Sequence, residues 1–459
     1  MNTEQVKNKE LFEEMRVPRA VAAMAIPTIM SQLIILIYNM ADTFFIGRTN
    51  NPLMVAGASL ILPVYNLSIA FANVAGTGGG TLIARLLGQD RLPDARRVAA
   101  FSIYFSVAAG AVFSLGTAAA MGPLLRLLGA SDETFVYARA YAMCVIVLGA
   151  IPTVSSMTMS NLLRSNGQAK TAGFGVSMGG LINIALDPLF MFVLLPRGYE
   201  TMGAGLATAL SNLIVCLYFI RSIRRMKSQV LGFKPQKLPE GRHIRSFFSV
   251  GVPAAVSTFL FDLDYMVLDR LMAGHGDQAL AAIGIVLKAE RLPLNACVGL
   301  SLGMVPLVAY SFAAGNLRRM REELRFTRRV GVAICLGSTA LYELLAPVLI
   351  RLFIADAATV SYGAVFLRAR AAASCFMFLS FLYVHFFQGV GKGEYSLLLV
   401  VIRWLGVNIP MLFLLDALFG LWGLVWSQAV SDVLVALITW LVFRRFCRKN
   451  GVDEAGKSR

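Results

Sequence analysis

The sequence predicts an all-α integral membrane protein, with twelve transmembrane helices in two pseudo-symmetric six-helix lobes. Three observations predict it. The chain is too apolar for a soluble domain: 57% of its 459 residues are hydrophobic, 15% are charged, and the mean hydropathy is +0.68. Its apolar runs recur at the length of roughly 20 residues needed to cross about 30 Å of hydrocarbon. Finally, the second half repeats the first. VPRAVAAMAIPTIMSQLIILIYNMADTFFIGR from Val17 is answered by IRSFFSVGVPAAVSTFLFDLDYMVLDRLMAG from Ile244, so that Pro27 answers Pro253, Ser31 answers Ser257 and Met40 answers Met266. VAGTGGGTLIARLLGQDRLPDARR from Val74 runs parallel to VGLSLGMVPLVAYSFAAGNLRRMRE from Val298. Duplicated six-span units of this kind place a carrier's site between the halves.

Taken in order, the apolar runs place spans at 20–46, 53–84, 98–121, 135–160, 170–195 and 202–224 in the first half. In the second they lie at 246–272, 279–313, 328–350, 359–388, 395–416 and 420–443. None shows the period-two alternation of a barrel strand, and in lipid only helices or a closed barrel satisfy the backbone. The stretch 226–243, with Gly232, Pro235, Pro239 and Gly241, is the linker between an N-lobe (1–225) and a C-lobe (244–447); residues 448–459 form a tail. LFEEMRVPRAVAAM is an amphipathic lead-in rather than a signal peptide, because no apolar core precedes Val17.

Charge placement sets the orientation. With the N-terminus in the cytoplasm, the inner connections carry Lys7, Arg16 and Arg19; Arg85, Arg91, Arg96 and Arg97; Arg164 and Lys170; the basic linker with Lys227; the run from Arg318 to Arg329; Lys392; and Arg444, Arg445 and Arg448. The opposite loops hold only scattered cations such as Arg48, Arg126, Arg197 and Arg351. Both termini are therefore expected in the cytoplasm. The net charge of +16 belongs to helix ends beside an anionic leaflet, so membrane lipids and not nucleic acid are the expected partners, and a monomer is expected.

Several chemistries find no support. The six cysteines are scattered without CxxC pairing, and His243, His275 and His385 lack ligand spacing, so neither a metal centre nor a disulfide framework is expected. There is no GxxxxGK[ST] motif and no catalytic constellation, so the chain is read as neither an ATP-coupled pump nor an enzyme, and needs no cofactor. The glycines from Gly76 to Gly80, with Gly299 and Gly303, are read as sites of close helix approach rather than phosphate binding.

The acids inside the apolar runs need an explanation, because an ionised carboxylate in hydrocarbon costs several kcal/mol without a polar cavity or partner. At 1.5 Å per residue, Asp42, Asp187 and Thr208 all fall roughly 8 to 12 Å below the outer surface. Asn183 lies one turn below Asp187 on the same helix face. Two carboxylates, an amide oxygen and a hydroxyl converging in one lobe form a hard-oxygen pocket for a small cation, Na⁺, or for a shared proton. The alternative has Asp187 kinking its span before Pro188 and Asp42 merely approaching the headgroups. In the C-lobe, Asp262, Asp264 and Asp269 on span seven face Lys288, Glu290 and Arg291 on span eight. Lys288, about 13 Å in, is level with Asp264 at roughly 12 Å, which suggests an ion pair; the other reading has Asp262 or Asp264 meet a cationic substrate or serve as a second coupling acid.

Several segments carry a family resemblance: NMADTFFIGR from Asn39, NGQAK from Asn166, NIALDP from Asn183, MGAGLATALSN from Met202, LPLNACVGLSLGMVPLVAYSFAAGN from Leu292 and FFQGVGKG from Phe386. Their order resembles the multidrug and toxic compound extrusion (MATE) family over essentially the whole chain, and the lead-in ELFEEMRVPRAVAAMAIPTIMSQLI is more like its DinF-like and MepA-like branch. The resemblance implies a multi-pass exporter of the bacterial cytoplasmic membrane, moving bulky, mostly cationic organic compounds against inward flow of H⁺ or Na⁺. It also implies coupling residues in an acid of span one (Asp42), the Asn-x-x-x-Asp of span five (Asn183, Asp187) and a threonine of span six (Thr208). Another branch places an acid in span seven, nearest to Asp262, but its further acids lack counterparts here. Two other readings stay open: a lipid or lipid-linked saccharide flippase, whose basic cavity would use Lys288, Arg291 and Arg403, and a receptor or channel, which would leave Asp42 and Asp187 without paired roles.

Overall fold

A computed structural model describes residues 9–450 except Lys227 and Ala355. Lys7, Lys227 and the part of the tail beyond residue 450 lie outside the described residues. Helices dominate, and twelve of them are spans. The N-lobe contains α1 (Val17–Gly47), α2 (Pro52–Gly88), α3 (Leu92–Ala119), α4 (Asp132–Leu148 continued by Ala150–Ser165), α5 (Ala169–Leu194) and α6 (Glu200–Met226). The C-lobe contains α7 (Gly241–Ala273), α8 (Asp277–Ala313), α9 (Leu317–Arg351) and α10 (Ala357–Ala371 continued by Ser374–Gly389). Its last two spans form one helical run, Gly393–Lys449, which divides into α11 and α12 at Gly420, where φ is 58° and ψ is −139°. Only glycine reaches that conformation without strain.

Local sequence sets the ends. Pro52 fills the first turn of α2 behind Asn51, whose side chain accepts from the Leu53 amide. At α10, Asp356 accepts from the Thr359 amide at 2.8 Å and from its hydroxyl at 2.7 Å, bonds that hold its exposed carboxyl below the usual carboxylate range. Helix α9 begins well before the apolar run at 328, because Asn316 caps the Arg319 amide and the basic stretch continues as helix.

The repeat is visible in the irregularities as much as in the helices. The fourth span of each lobe is bent, α4 by 49° and α10 by 48°. The fifth span of each contains a wide π turn, Leu189–Leu194 in α5 and Ile402–Asn408 in α11. The first span of each carries an internal proline, Pro27 in α1 and Pro253 in α7. Such turns relocate backbone hydrogen bonds and redirect a helix locally.

The lobes meet along two symmetry-related seams, α2 against α7 and α8 against α1. In the first, a side chain at Gly78 would strike the Phe247 carbonyl, and one at Gly251 would strike the Val74 carbonyl. In the second, a Cβ at Gly299 would stand 2.7 Å from the Ile29 Cα, and one at Gly303 2.6 Å from the Ala25 Cα. The glycines let backbones touch, as small residues do between membrane helices. Both seams are tightest on the face where α1 begins and α12 ends, here the termini face. Residues 303–311 of α8 and 78–84 of α2 are buried there without interruption. A lead-in turn, Glu10–Glu14, seals that face by stacking Phe12 on Tyr310 of α8 at 4.7 Å. Tyr310 donates to Glu13 at 2.6 Å, and Arg319 donates to the Glu13 and Leu11 carbonyls at 3.0 and 3.2 Å. Toward the opposite face the same helices expose large apolar groups, among them Ile37, Met40 and Phe44 of α1 and Met266 of α7.

Candidate functional site

Helices α1, α5 and α6 bring the four N-lobe residues together. Asp187 is fully buried and Asn183 nearly so, while Asp42 and Thr208 are half-buried. The Asn183 amide nitrogen lies 3.4 Å from Asp187 Oδ1 and 3.4 Å from Thr208 Oγ1, the i,i+4 spacing placing Asn183 and Asp187 on one face. Asp42 lies within electrostatic reach of Asp187. No lysine or arginine pairs with either carboxylate among the described residues.

Three buried oxygens in this cluster have no hydrogen-bond partner among the described residues: Asp42 Oδ1, Asn183 Oδ1 and Asp187 Oδ2. Buried acceptors are seldom left so. Three acceptor-only oxygens without a donor fit a small hard cation or a proton, which is the chemistry expected of a coupling ion.

The sequence did not point to the shell around this cluster. Tyr141 of α4 stands near Asp42. Tyr38 of α1 and Tyr65 of α2 stand near one another, Tyr65 lies beside Asn212 and Thr153, and Asn212 donates to Thr153 at 2.9 Å. Phenols and amides can pass or accept a proton along such a chain. The signal was present in tyrosines lying inside apolar runs, but their direction around the helix was not.

The C-lobe differs from the expectation. Asp264 is buried and bonds Asn408 of α11 at 2.8 Å; Lys288 is exposed and pairs with no acid among the described residues. Equal depth put them level, but Lys288 points away. The buried cations are others: Arg370 pairs with Glu290 at 2.6 Å and Arg403 with Asp432 at 2.5 Å. Gln428 joins the network, donating to Asp432 at 3.0 Å and accepting from Asn408 at 3.4 Å. Arg403 also lies over the Phe381 and Trp404 rings at 4.8 and 4.9 Å. Arg291 is exposed and stacks over Tyr265 at 5.4 Å, and Asp269 is exposed on α7. Asp262 crosses the lobe boundary and accepts from Asn66 of α2 at 2.7 Å. The buried cations thus sit in acid pairs, and nothing supports the basic cavity of a flippase.

Comparison with known proteins agrees with the two-lobe fold. The MatE family matches residues 27–189 and 253–414, one segment in each lobe. The multidrug export protein MepA of Staphylococcus haemolyticus (strain JCSC1435) is 29% identical over 454 residues, covering 98% of this chain and 99% of that protein. MepA of Staphylococcus aureus (strain NCTC 8325 / PS 47) is 29% identical over 443 residues, covering 95% and 96%. A solved structure described as the outward-facing conformation of a multidrug resistance MATE family transporter of the MOP superfamily superposes with a TM-score of 0.90 at 22% identity, covering 98% of this chain and 99% of the other. That likeness carries the two-lobe, twelve-helix fold, and the paired family match over most of the sequence carries the membership: this chain belongs to the MatE family.

Proposed function

We propose that the protein is a secondary active multidrug antiporter, exporting bulky, mostly cationic organic compounds in exchange for H⁺ or Na⁺ by alternating access. It is a carrier with no chemical step of its own. The observation that supports this most directly is the trio of unpartnered oxygens on Asp42, Asn183 and Asp187. An anionic pocket with no internal counter-charge is stabilised by a cation or by protonation, so its occupancy responds to a gradient. The relatives named MepA multidrug export protein support the substrate class.

In this reading the termini face is cytoplasmic in a bacterial inner membrane, residues 226–243 are a cytoplasmic linker, and the sealed termini face with the opened opposite face is the outward-facing state. Filling the N-lobe pocket from outside removes its charge and lets the outer halves of α1, α5 and α6 repack. The linked lobes then rock inward, where the ion leaves and a cationic compound enters.

Proteoliposomes holding the purified protein test this, with efflux of a fluorescent cationic dye followed under an imposed sodium gradient and, separately, an imposed pH gradient. One gradient should drive efflux in the wild type, and Asp187→Asn should abolish it. Gradient-independent dye movement, or full efflux by Asp187→Asn, would overturn the proposal.

A further inference from the structure

We infer that the C-lobe carries a binding site for one anionic phospholipid, separate from the N-lobe pocket of Asp42 and Asp187. A groove of ≈ 710 Å³ opens on the outer flank between α9, the second half of α10 and α12. Its floor is apolar, formed by Val332, Leu336, Leu379 and Leu437, and among the described residues no acid lines it. At one end stand Arg328 and Arg329, with Trp440 across from them.

The position of the arginines selects the occupant. The apolar run of α9 begins just after Arg329 and continues to Ile350, so the two guanidinium groups sit where headgroups end and hydrocarbon begins. From Arg328 to Leu336 the groove descends roughly 12 Å at 1.5 Å per residue, along which Ala333 and Leu336 are exposed. Arg328 reaches the Tyr383 hydroxyl at 3.4 Å, and Arg444 stacks over Trp440 at 5.2 Å, so the rim is basic on both sides and carries an interfacial aromatic. A phosphate diester with acyl chains matches both parts: its charge meets arginines, which bind phosphate well, and its chains fill a slot that water would wet at a cost. Basic pockets between membrane helices on the positively charged side recognise anionic headgroups in this way. The lipid is a resident of the C-lobe rim, not cargo.

The full chain, purified in detergent, tests this by native mass spectrometry and thermal shift with added dioleoyl phosphatidylglycerol, dioleoyl phosphatidylcholine or inorganic phosphate. Phosphatidylglycerol should be retained and raise the melting temperature, while phosphatidylcholine and phosphate should do neither. The double change Arg328→Gln with Arg329→Gln should weaken phosphatidylglycerol retention by roughly thirtyfold, the loss of two basic contacts at an anionic surface. Ala333→Trp, which fills the slot and keeps both arginines, should weaken it as well, and serves if the double variant does not fold. Equal retention of the two lipids, binding of phosphate alone, or unchanged affinity in a folded variant would overturn the site.

Discussion

The Asn66 amide donates to Asp262 Oδ2 across the lobe boundary at 2.7 Å. It is the third rung of a ladder on the α2–α7 seam. Below it, Asn73 donates to Thr258 at 3.0 Å and Arg85 to Ser246 at 2.9 Å. Among the described residues no further side-chain hydrogen bond joins α2 to α7 beyond it, so Asn66 and Asp262 make the last such bond of the seam. A side chain that sequence alone assigns to substrate also holds the lobes together.

Breaking that rung should shift the conformational balance. A hydrogen bond to a charged group contributes roughly 1.5–3 kcal/mol, so Asn66→Ala should lower the population closed on the termini face about tenfold or more. Spin-label distances across the opposite mouth, between positions 48 and 275, should shorten in the variant. An unchanged distance distribution would leave Asp262 without a part in closure.

Neutralising the N-lobe pocket should uncouple the carrier without unfolding it. Asp42→Asn and Asp187→Asn each remove a charge that has no basic partner, so neither strands an opposite charge. Gradient-driven dye efflux should fall at least tenfold in both variants, while expression and melting temperature stay near the wild type. Tyr141→Phe, which removes the phenol beside Asp42, should slow efflux less.

Much of this was legible in the sequence, for reasons that particular residues show. The repeat could be read because Pro27 and Pro253, and the glycines against Ile29 and Phe247, occupy fixed places in apolar runs. Residue identity alone encodes their effect on a helix. The Asn183, Asp187 and Thr208 cluster could be read from depth and i,i+4 spacing, since both follow from helical rise. What failed was direction around the helix. Lys288 and Glu290 are two positions apart, hence about 200° apart on the helix, and only Glu290 faces Arg370. The bend in α4 falls at Gly149, between the π turn Met143–Leu148 and Pro152, whose ring and missing N–H break the bond to the Leu148 carbonyl; that signal was present, but an apolar run read as 135–160 passes straight through it.

The corrected C-lobe pairing predicts where stability resides. Arg370→Met leaves Glu290 buried and unpaired and should destabilise the protein by about 3–5 kcal/mol. Adding Glu290→Gln should recover much of that loss, giving a strong coupling in a thermal double-mutant cycle. Lys288→Met should change the melting temperature little, as surface changes do. A large effect at Lys288 with none at Arg370 would restore the pairing expected from depth.

The α2–α7 seam gives the last prediction. A side chain at Gly251 would meet the Val74 carbonyl, and one at Gly78 the Phe247 carbonyl. Both obstacles are backbone, so they cannot swing aside like a flexible side chain. Gly251→Val should therefore prevent the lobes from closing on the termini face while each lobe still folds, because that face of α7 meets α2 and not its own lobe. Cysteines at positions 73 and 258, whose side chains touch in the closed state, should cross-link readily in the wild-type background and at least tenfold more slowly with Gly251→Val. The same change should reduce efflux, since a carrier held from one of its two states completes no cycle. Gly284→Ala is the control: a Cβ there meets nothing within 4 Å, and cross-linking should be unaffected. If Gly251→Val cross-links at the wild-type rate, close backbone approach is not what the glycines provide on this seam.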